Sequence, residues 1–268
     1  MKRSAKILIF LFWIPFSLLS QTNEGYPELK KYSNFGFTFG GVLFDKAKIE
    51  FEEGSYPISS FAVPSYSFGF NYHLPIFGKW SIQTGLLFAN EAALNIKYKF
   101  LDEDIQFLEY NEEVKSISYA LITPSIPLSV QYKSKIGNKS YLDLKLGMKM
   151  MLLLPSGAGL TNLMSTDTGY CPNFRIEVIS PVDYFIVSSL ITSIGYTIDL
   201  NKVLIGFELS RTINFQNTFS GRFRFYNLLI NPDAYGYYNL SGNYWALNIN
   251  INFLKTKYWK KGKNVILN

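Results

Sequence analysis

Along most of the chain, apolar and polar residues alternate with a period of two, the pattern of a strand with one greasy face. The last such segment is the clearest: Trp245, Leu247, Ile249, Ile251 and Phe253 interleave with Ala246, Asn248, Asn250 and Asn252. Phe35, Phe37 and Phe39 alternate with Gly36, Thr38 and Gly40, and Tyr66, Phe68, Phe70, Tyr72 and Leu74 with Ser65, Ser67, Gly69, Asn71 and His73. A third segment sets Trp80, Ile82, Leu86 and Phe88 against Ser81, Gln83, Gly85, Ala89 and Glu91. Leu142, Leu144, Leu146, Met148, Met150 and Leu152 oppose Asp143, Lys145, Gly147 and Lys149, and Val203, Ile205, Phe207 and Leu209 oppose Gly206, Glu208 and Ser210. Two segments are less regular. The fourth, 116–133, alternates only at Leu128, Val130 and Tyr132 against Ser129, Gln131 and Lys133 and contains Pro124 and Pro127; the sixth, 184–200, alternates only at Ile194, Tyr196 and Ile198. Eight strands are expected, with the register of the fourth and sixth open.

The polar face of these strands is mostly Gly, Ser, Asn and Thr, whereas a soluble sandwich or lipocalin-like barrel would turn a charged face to water. Small and amide residues suit a crowded interior, and the Phe, Leu, Ile, Tyr and Trp face suits lipid. Connector lengths agree. Joints at about 44–62, 101–115, 155–183 and 216–242 are long, while 75–79, 134–140 and 199–202 are short, and the two kinds alternate. Such sorting is expected of an outer-membrane barrel, with long loops outside and tight turns in the periplasm. After the N-terminus the best candidate for a spanning helix, 184–198 between Asp183 and Asp199, is too short to span and is rich in β-branched residues. The fold class expected is therefore all-β, a transmembrane up-and-down antiparallel barrel of eight strands, occupying 21–253 as one domain. Closure removes the unpaired edges that lipid cannot satisfy. A barrel this small is expected to be filled by its own side chains, which argues against a general porin.

Lys2, Arg3 and Lys6 precede an uncharged run over 7–19, followed by Ser20-Gln21, so 1–20 reads as a secretory signal peptide cleaved after Ser20. Without its three basic residues the net charge falls from +6 to +3. The basic excess is then carried by the tail 254–268, with Lys255, Lys257, Lys260, Lys261 and Lys263, so nucleic-acid binding is not expected. The tail is read as periplasmic and solvated, the alternative being contact of its lysines, Tyr258 and Trp259 with anionic headgroups. An aromatic share of 17% excludes a disordered chain, and the single Cys171 excludes a disulfide scaffold.

The chain resembles the eight-stranded outer-membrane barrel family common in Bacteroidetes, which includes the PorT-like proteins. The resemblance rests on Ser20-Gln21, on Phe35-Gly36-Phe37-Thr38-Phe39-Gly40-Gly41, on Ile126-Pro127-Leu128-Ser129-Val130-Gln131-Tyr132, and on the Leu-Gly strand that follows over 144–150. It implies a barrel fold and a link to secretion or gliding machinery.

Catalytic chemistry is sparse. His73 is the lone histidine, turned inward near a short turn, and is read as a structural hydrogen-bonded group. With one His and one Cys, no His- or Cys-rich metal site can be assembled, and no cofactor or catalytic residue is assigned. Cys171 is read as a free thiol. Glu91, Asp143, Lys145, Lys149 and Glu208 share inward parity and are read as a salt-bridged interior cluster, with a proton or ion path as the alternative. Asp102, Glu103, Asp104, Glu109, Glu112 and Glu113 crowd the second long connection and are read as a solvated acidic loop. Divalent cations bridging that loop to lipopolysaccharide phosphates or to a partner are the alternative. The function expected is that of a non-enzymatic barrel in the outer membrane, contacting its lipid and binding a protein partner in the envelope or acting structurally. A lipid-modifying enzyme and a narrow solute or ion conductor are the alternatives.

Overall fold

The computed structural model describes residues 26–105, 113–163, 172–180 and 186–255. The expected signal, most of the tail, Glu109, Glu112 and Cys171 lie outside them. Among the described residues fourteen strands form two sheets. Eight of the strands close the barrel: β1 (Tyr32–Phe44), β4 (Val63–Phe77), β5 (Trp80–Tyr98), β6 (Val114–Gly137), β7 (Ser140–Leu152), β10 (Ile186–Asp199), β11 (Val203–Asn214) and β14 (Tyr244–Leu254). Around the ring the order is β4-β1-β14-β11-β10-β7-β6-β5, and β5 pairs back to β4, so every barrel strand has two antiparallel neighbours.

The wall is inverted relative to a soluble protein. One row of paired residues runs Phe68, Phe39, Ile249, Phe207 and Tyr196 across five strands, and all five are exposed. The residues between them in sequence are buried or small. A strand of 12 or 13 residues reaches about 40 Å and, tilted by about 40°, rises about 30 Å, enough to cross a hydrocarbon layer. Glycines on β1 make room inside. A Cβ on Gly36 would stand 2.5 Å from Asn252 and 2.7 Å from Asn71, and one on Gly40 2.0 Å from Asn248. The Phe-Gly alternation thus places rings in lipid and opens space for amides in the lumen.

The irregular fourth segment has a structural cause. Between Asn90 and Leu94 the β5–β6 register shifts twice, Asn90 pairing with Ile122, Ala92 with Tyr119 and Leu94 with Ser118. The bulge on β6 exchanges its faces: the exposed residues are Ile117 and Tyr119 on one side of it, Ile122, Ile126, Leu128 and Val130 on the other. Period-two counting cannot cross such a point.

The long connections, expected as loops, fold. β2 (Lys48–Glu53), β8 (Gly157–Leu163), β9 (Asn173–Ile179), β12 (Phe219–Tyr226) and β13 (Ala234–Leu240) form a five-stranded sheet in the order β2-β13-β12-β9-β8, and β3 (Ile58–Ser60) pairs with the far end of β5. Strand β6, with 24 residues, runs well beyond the barrel rim. The sheet turns Phe219, Phe223, Phe225, Phe174, Ile176, Val178 and Tyr238 inward, where they pack with Phe44, Val63, Leu94, Ile96 and Tyr98 in one buried cluster. Phe225 sits in the middle, its ring centroid 4.3 Å from Tyr56 and 4.6 Å from Phe174. The buried Asn95 among them is tied off. Asn95 donates to Asp45 O and Phe61 O and accepts from Ser60 and Tyr238. A cap with its own hydrophobic core therefore covers the long-connection end.

Candidate functional site: the barrel lumen and its two ends

Strand parity turns alternate side chains of every barrel strand into the lumen, so its chemistry is set by the face that lipid does not see. Asp143 accepts from Lys133 Nζ at 2.5 Å, from Gln131 Nε2 at 2.8 Å and from the Thr197 hydroxyl. Gln131 Oε1 faces His73 Nδ1 at 3.1 Å and accepts from Ser81 at 3.4 Å. Lys145 pairs with Glu208, which also accepts from Asn250 Nδ2 at 3.1 Å. Asn250 Oδ1 then accepts from Thr38 at 2.7 Å and from Asn71 at 3.2 Å. Asp143, Lys145 and Glu208 thus join one region of the lumen, together with Lys133 and Gln131, which sequence reasoning placed on the polar face without assigning them to the cluster. Glu91 and Lys149 are set apart near the cap. Lys149 donates to Tyr244 Oη at 3.0 Å and lies 4.6 Å from the centre of that ring. Glu91 is 1% exposed, its Oε1 has no hydrogen-bond partner, and Lys149 is its counter-charge. Lys133, Lys145 and Lys149 balance Asp143, Glu208 and Glu91 one for one, as burial of charge demands.

Filling is uneven. Around Thr38, Ser193 and Asn250, mid-barrel, lies a cavity of about 60 Å³, whereas at the short-turn end one of about 500 Å³ remains, lined by His73, Gln131, Lys133, Asp143, Lys145 and Glu208. The expectation of a barrel filled throughout is corrected here: the glycines Gly195 and Gly206 and the short polar residues of this half leave space that the cluster does not occupy. A strap crosses the mouth. Residues Pro27–Lys31 form a 3₁₀ turn just before β1 and reach the opposite wall, since β7 lies four strands from β1 either way round the ring. Glu28 accepts from Lys135 Nζ at 2.5 Å and from Tyr141 at 3.0 Å, the Tyr26 ring packs on Tyr141, and Lys31 pairs with Asp199 at 2.9 Å. The Lys135 ammonium holds the Glu28 carboxyl below the ordinary Glu range.

Of the acidic segment, Asp102, Glu103, Asp104 and Glu113 are among the described residues, and Asp104 departs from the expected solvated loop. Asp102–Ile105 is a helical turn, and Asp104 is 1% exposed. It accepts from the backbone N–H of Ile230 and of Asn231, both at 3.0 Å, from the Asn231 amide at 3.0 Å and from Tyr56 at 2.9 Å. Burial alone would raise its pKa, but those four donors together hold it below the ordinary Asp value. Glu103 accepts from Asn231 at 2.6 Å, and Glu113 pairs with Lys97 at 2.8 Å. The described part of the cluster is thus divided between a buried pin in the cap, Asp104, and surface contacts of Glu103 and Glu113. Among the described residues no group of three His, Cys, Asp or Glu side chains is placed to hold a metal ion.

A closed barrel with an apolar exterior, a polar lumen and its long connections at one end is a transmembrane barrel of the outer-membrane type. No family model matches the chain, and no curated protein matches it. Among solved structures it is similar to the outer membrane protein OprG from Pseudomonas aeruginosa, at 9% identity and a TM-score of 0.35, covering 87% of this chain and 98% of that one. It is also similar to the outer membrane protease OmpT from Escherichia coli, at 7% identity and a TM-score of 0.32 over 84% and 94% of the two chains. The P. putida toluene transporter TodX overlaps at 9% identity and a TM-score of 0.24, over 90% and 94%. The likeness is broad in coverage and loose in detail, and it carries no information on activity.

Proposed function

We propose that this outer-membrane barrel is neither an enzyme nor a conductor, and that it displays its cap to a protein partner in the cell envelope. The folded cap carries this reading. An aromatic core seals the outer end, and the cavity at the middle of the lumen is small, an arrangement suited to a rigid platform and unsuited to a pore. The outward face of the cap supports a binding role. Arg222 stacks 5.1 Å from the Tyr237 ring, Arg224 lies 5.5 Å from that of Tyr226, and Tyr235 stands beside them. Exposed Tyr and Arg on a rigid sheet are the residues that dominate protein interfaces. The PorT-like resemblance of the β1 and β6 motifs supports a partner in secretion or gliding machinery.

The test is site-specific photo-crosslinking in intact cells. A photoreactive side chain at Arg222 is expected to yield one discrete adduct, lost when Tyr235 and Tyr237 are changed to Ser, while the purified protein in liposomes gives neither current nor lipid turnover. Single-channel current would favour the conductor, lipid turnover the enzyme, and absence of an adduct would remove the platform.

A further inference from the structure

We propose that the periplasm-facing cavity is a binding site for a small oxyanion carrying a hydroxyl group, the phosphate monoester class, and that it selects against cations. Size is the first support, since about 500 Å³ lies in the range of small-molecule sites. Charge is the second. The two carboxylates that line the cavity are already engaged, Asp143 by Lys133, Gln131 and Thr197, and Glu208 by Lys145 and Asn250. A cation entering would find no uncommitted carboxylate. An anion would find Lys145, which has one hydrogen-bond partner for its three N–H donors, and would pass Lys79 and Lys255, which line the cavity towards its mouth. With Lys30, Lys79, Lys133, Lys145 and Lys255 against Asp143 and Glu208, the lining carries a positive excess that draws anions inward.

The third support is directional. Asp143 is an acceptor, so Gln131 presents its Nε2 to it and its Oε1 to His73. A neutral His73 then carries its proton on Nδ1, which leaves Nε2 as an acceptor on a residue lining the cavity. A ligand that fits both ends offers acceptor oxygens to Lys145 and an O–H to His73. A hydrogen phosphate monoester does so, and a simple carboxylate lacks the donor. Tyr26 and Tyr32 at the mouth supply ring surface for the ester group.

Two sources share this chemistry, a soluble phosphate monoester and the headgroup of phosphatidic acid. Titration calorimetry on the full mature protein in a neutral maltoside detergent separates them, with phenyl phosphate, short-chain phosphatidic acid, benzoate and benzylammonium as probes. Phenyl phosphate is expected to bind, benzoate more weakly, and benzylammonium not to register. Binding of phosphatidic acid without phenyl phosphate keeps the site and assigns it to the lipid. The Lys145→Met variant is expected to weaken binding at least about tenfold, the loss of a charge-assisted contact. Because that change leaves Glu208 unpaired, Lys79→Glu, on an exposed turn, serves as the variant that keeps the lumen intact, with binding weakened several-fold and the heat-modified gel shift of the folded barrel retained. Absence of binding by both phosphate probes, equal binding of benzylammonium, or unchanged affinity in both variants would overturn the proposal.

Discussion

The barrel wall and the cap are made of the same kind of strand turned inside out. In the wall, Phe39, Phe68 and Phe207 point outward while Asn250, Glu208 and Asp143 point inward; in the cap, Phe174, Phe223 and Phe225 point inward while Arg175, Arg222 and Arg224 point outward. What differs is the medium. Lipid rewards an apolar exterior and forces the lumen to satisfy its own polar groups, whereas water permits charge outside and drives rings into a core. A chain that passes between the two media must exchange the faces of its strands, and the paired bulges of β5 and β6 lie where it does so, beside Glu91.

The largest effect that would break this comparison is in the cap. Phe225→Ala removes a ring in contact with Tyr56, Tyr98, Phe100, Phe174 and Phe223 and is expected to cost the cap about 3–5 kcal/mol. Protease should then nick the long connections while the barrel retains its heat-modified gel shift. In the lumen, Glu208→Leu strands Lys145 and is expected to lower barrel stability in urea by about 3–5 kcal/mol, whereas pairing it with Lys145→Met should restore most of that loss. On the wall, Phe39→Arg is expected to cost about 2–4 kcal/mol in bilayers, while Arg222→Phe on the cap leaves stability within about 0.5 kcal/mol, measured by the same unfolding titrations.

A smaller effect sharpens the comparison through pH. The folded pKa of Asp104 lies below its unfolded value of about 3.9, so its contribution is complete above that pH and is lost as pH falls through the folded value. Protease resistance of the cap should therefore decline below about pH 4, and Asp104→Asn should be weakened by about 1.5–3 kcal/mol at neutral pH with that acid transition blunted. The smallest effect belongs to the strap, where Glu28→Gln is expected to cost about 1 kcal/mol or less because the pair with Lys135 is partly exposed. A spin label at Tyr26 should gain mobility with no change in barrel unfolding.

Much of this was legible in the chain. Period-two alternation locates six of the eight barrel strands along their length and the fourth and sixth only in part, and parity alone turns Asp143, Lys145 and Glu208 inward. Parity also turned Gln131 and Lys133 inward, but cross-strand partners decide which inward residues meet, and those depend on register. The cap was hidden in long connectors, although the alternation of Phe219, Phe223 and Phe225 with Ser220, Arg222 and Arg224 was there, with the charged outer face of a strand in water. Asp104 had no such signal: its donors on Ile230 and Asn231 lie more than 120 positions away.

The inversion itself is tested most directly by spin-label accessibility in lipid bilayers, with cysteine placed in turn at Phe39, Phe207 and Ile249 on the wall and at Arg222 and Arg224 on the cap. Collision with membrane-dissolved oxygen should dominate at the three wall sites, and collision with a water-soluble nickel chelate at the two cap sites. Wall sites shielded from oxygen or reached by the chelate, or cap sites that respond as the wall does, would contradict a lipid-wetted cylinder carrying a water-exposed sheet.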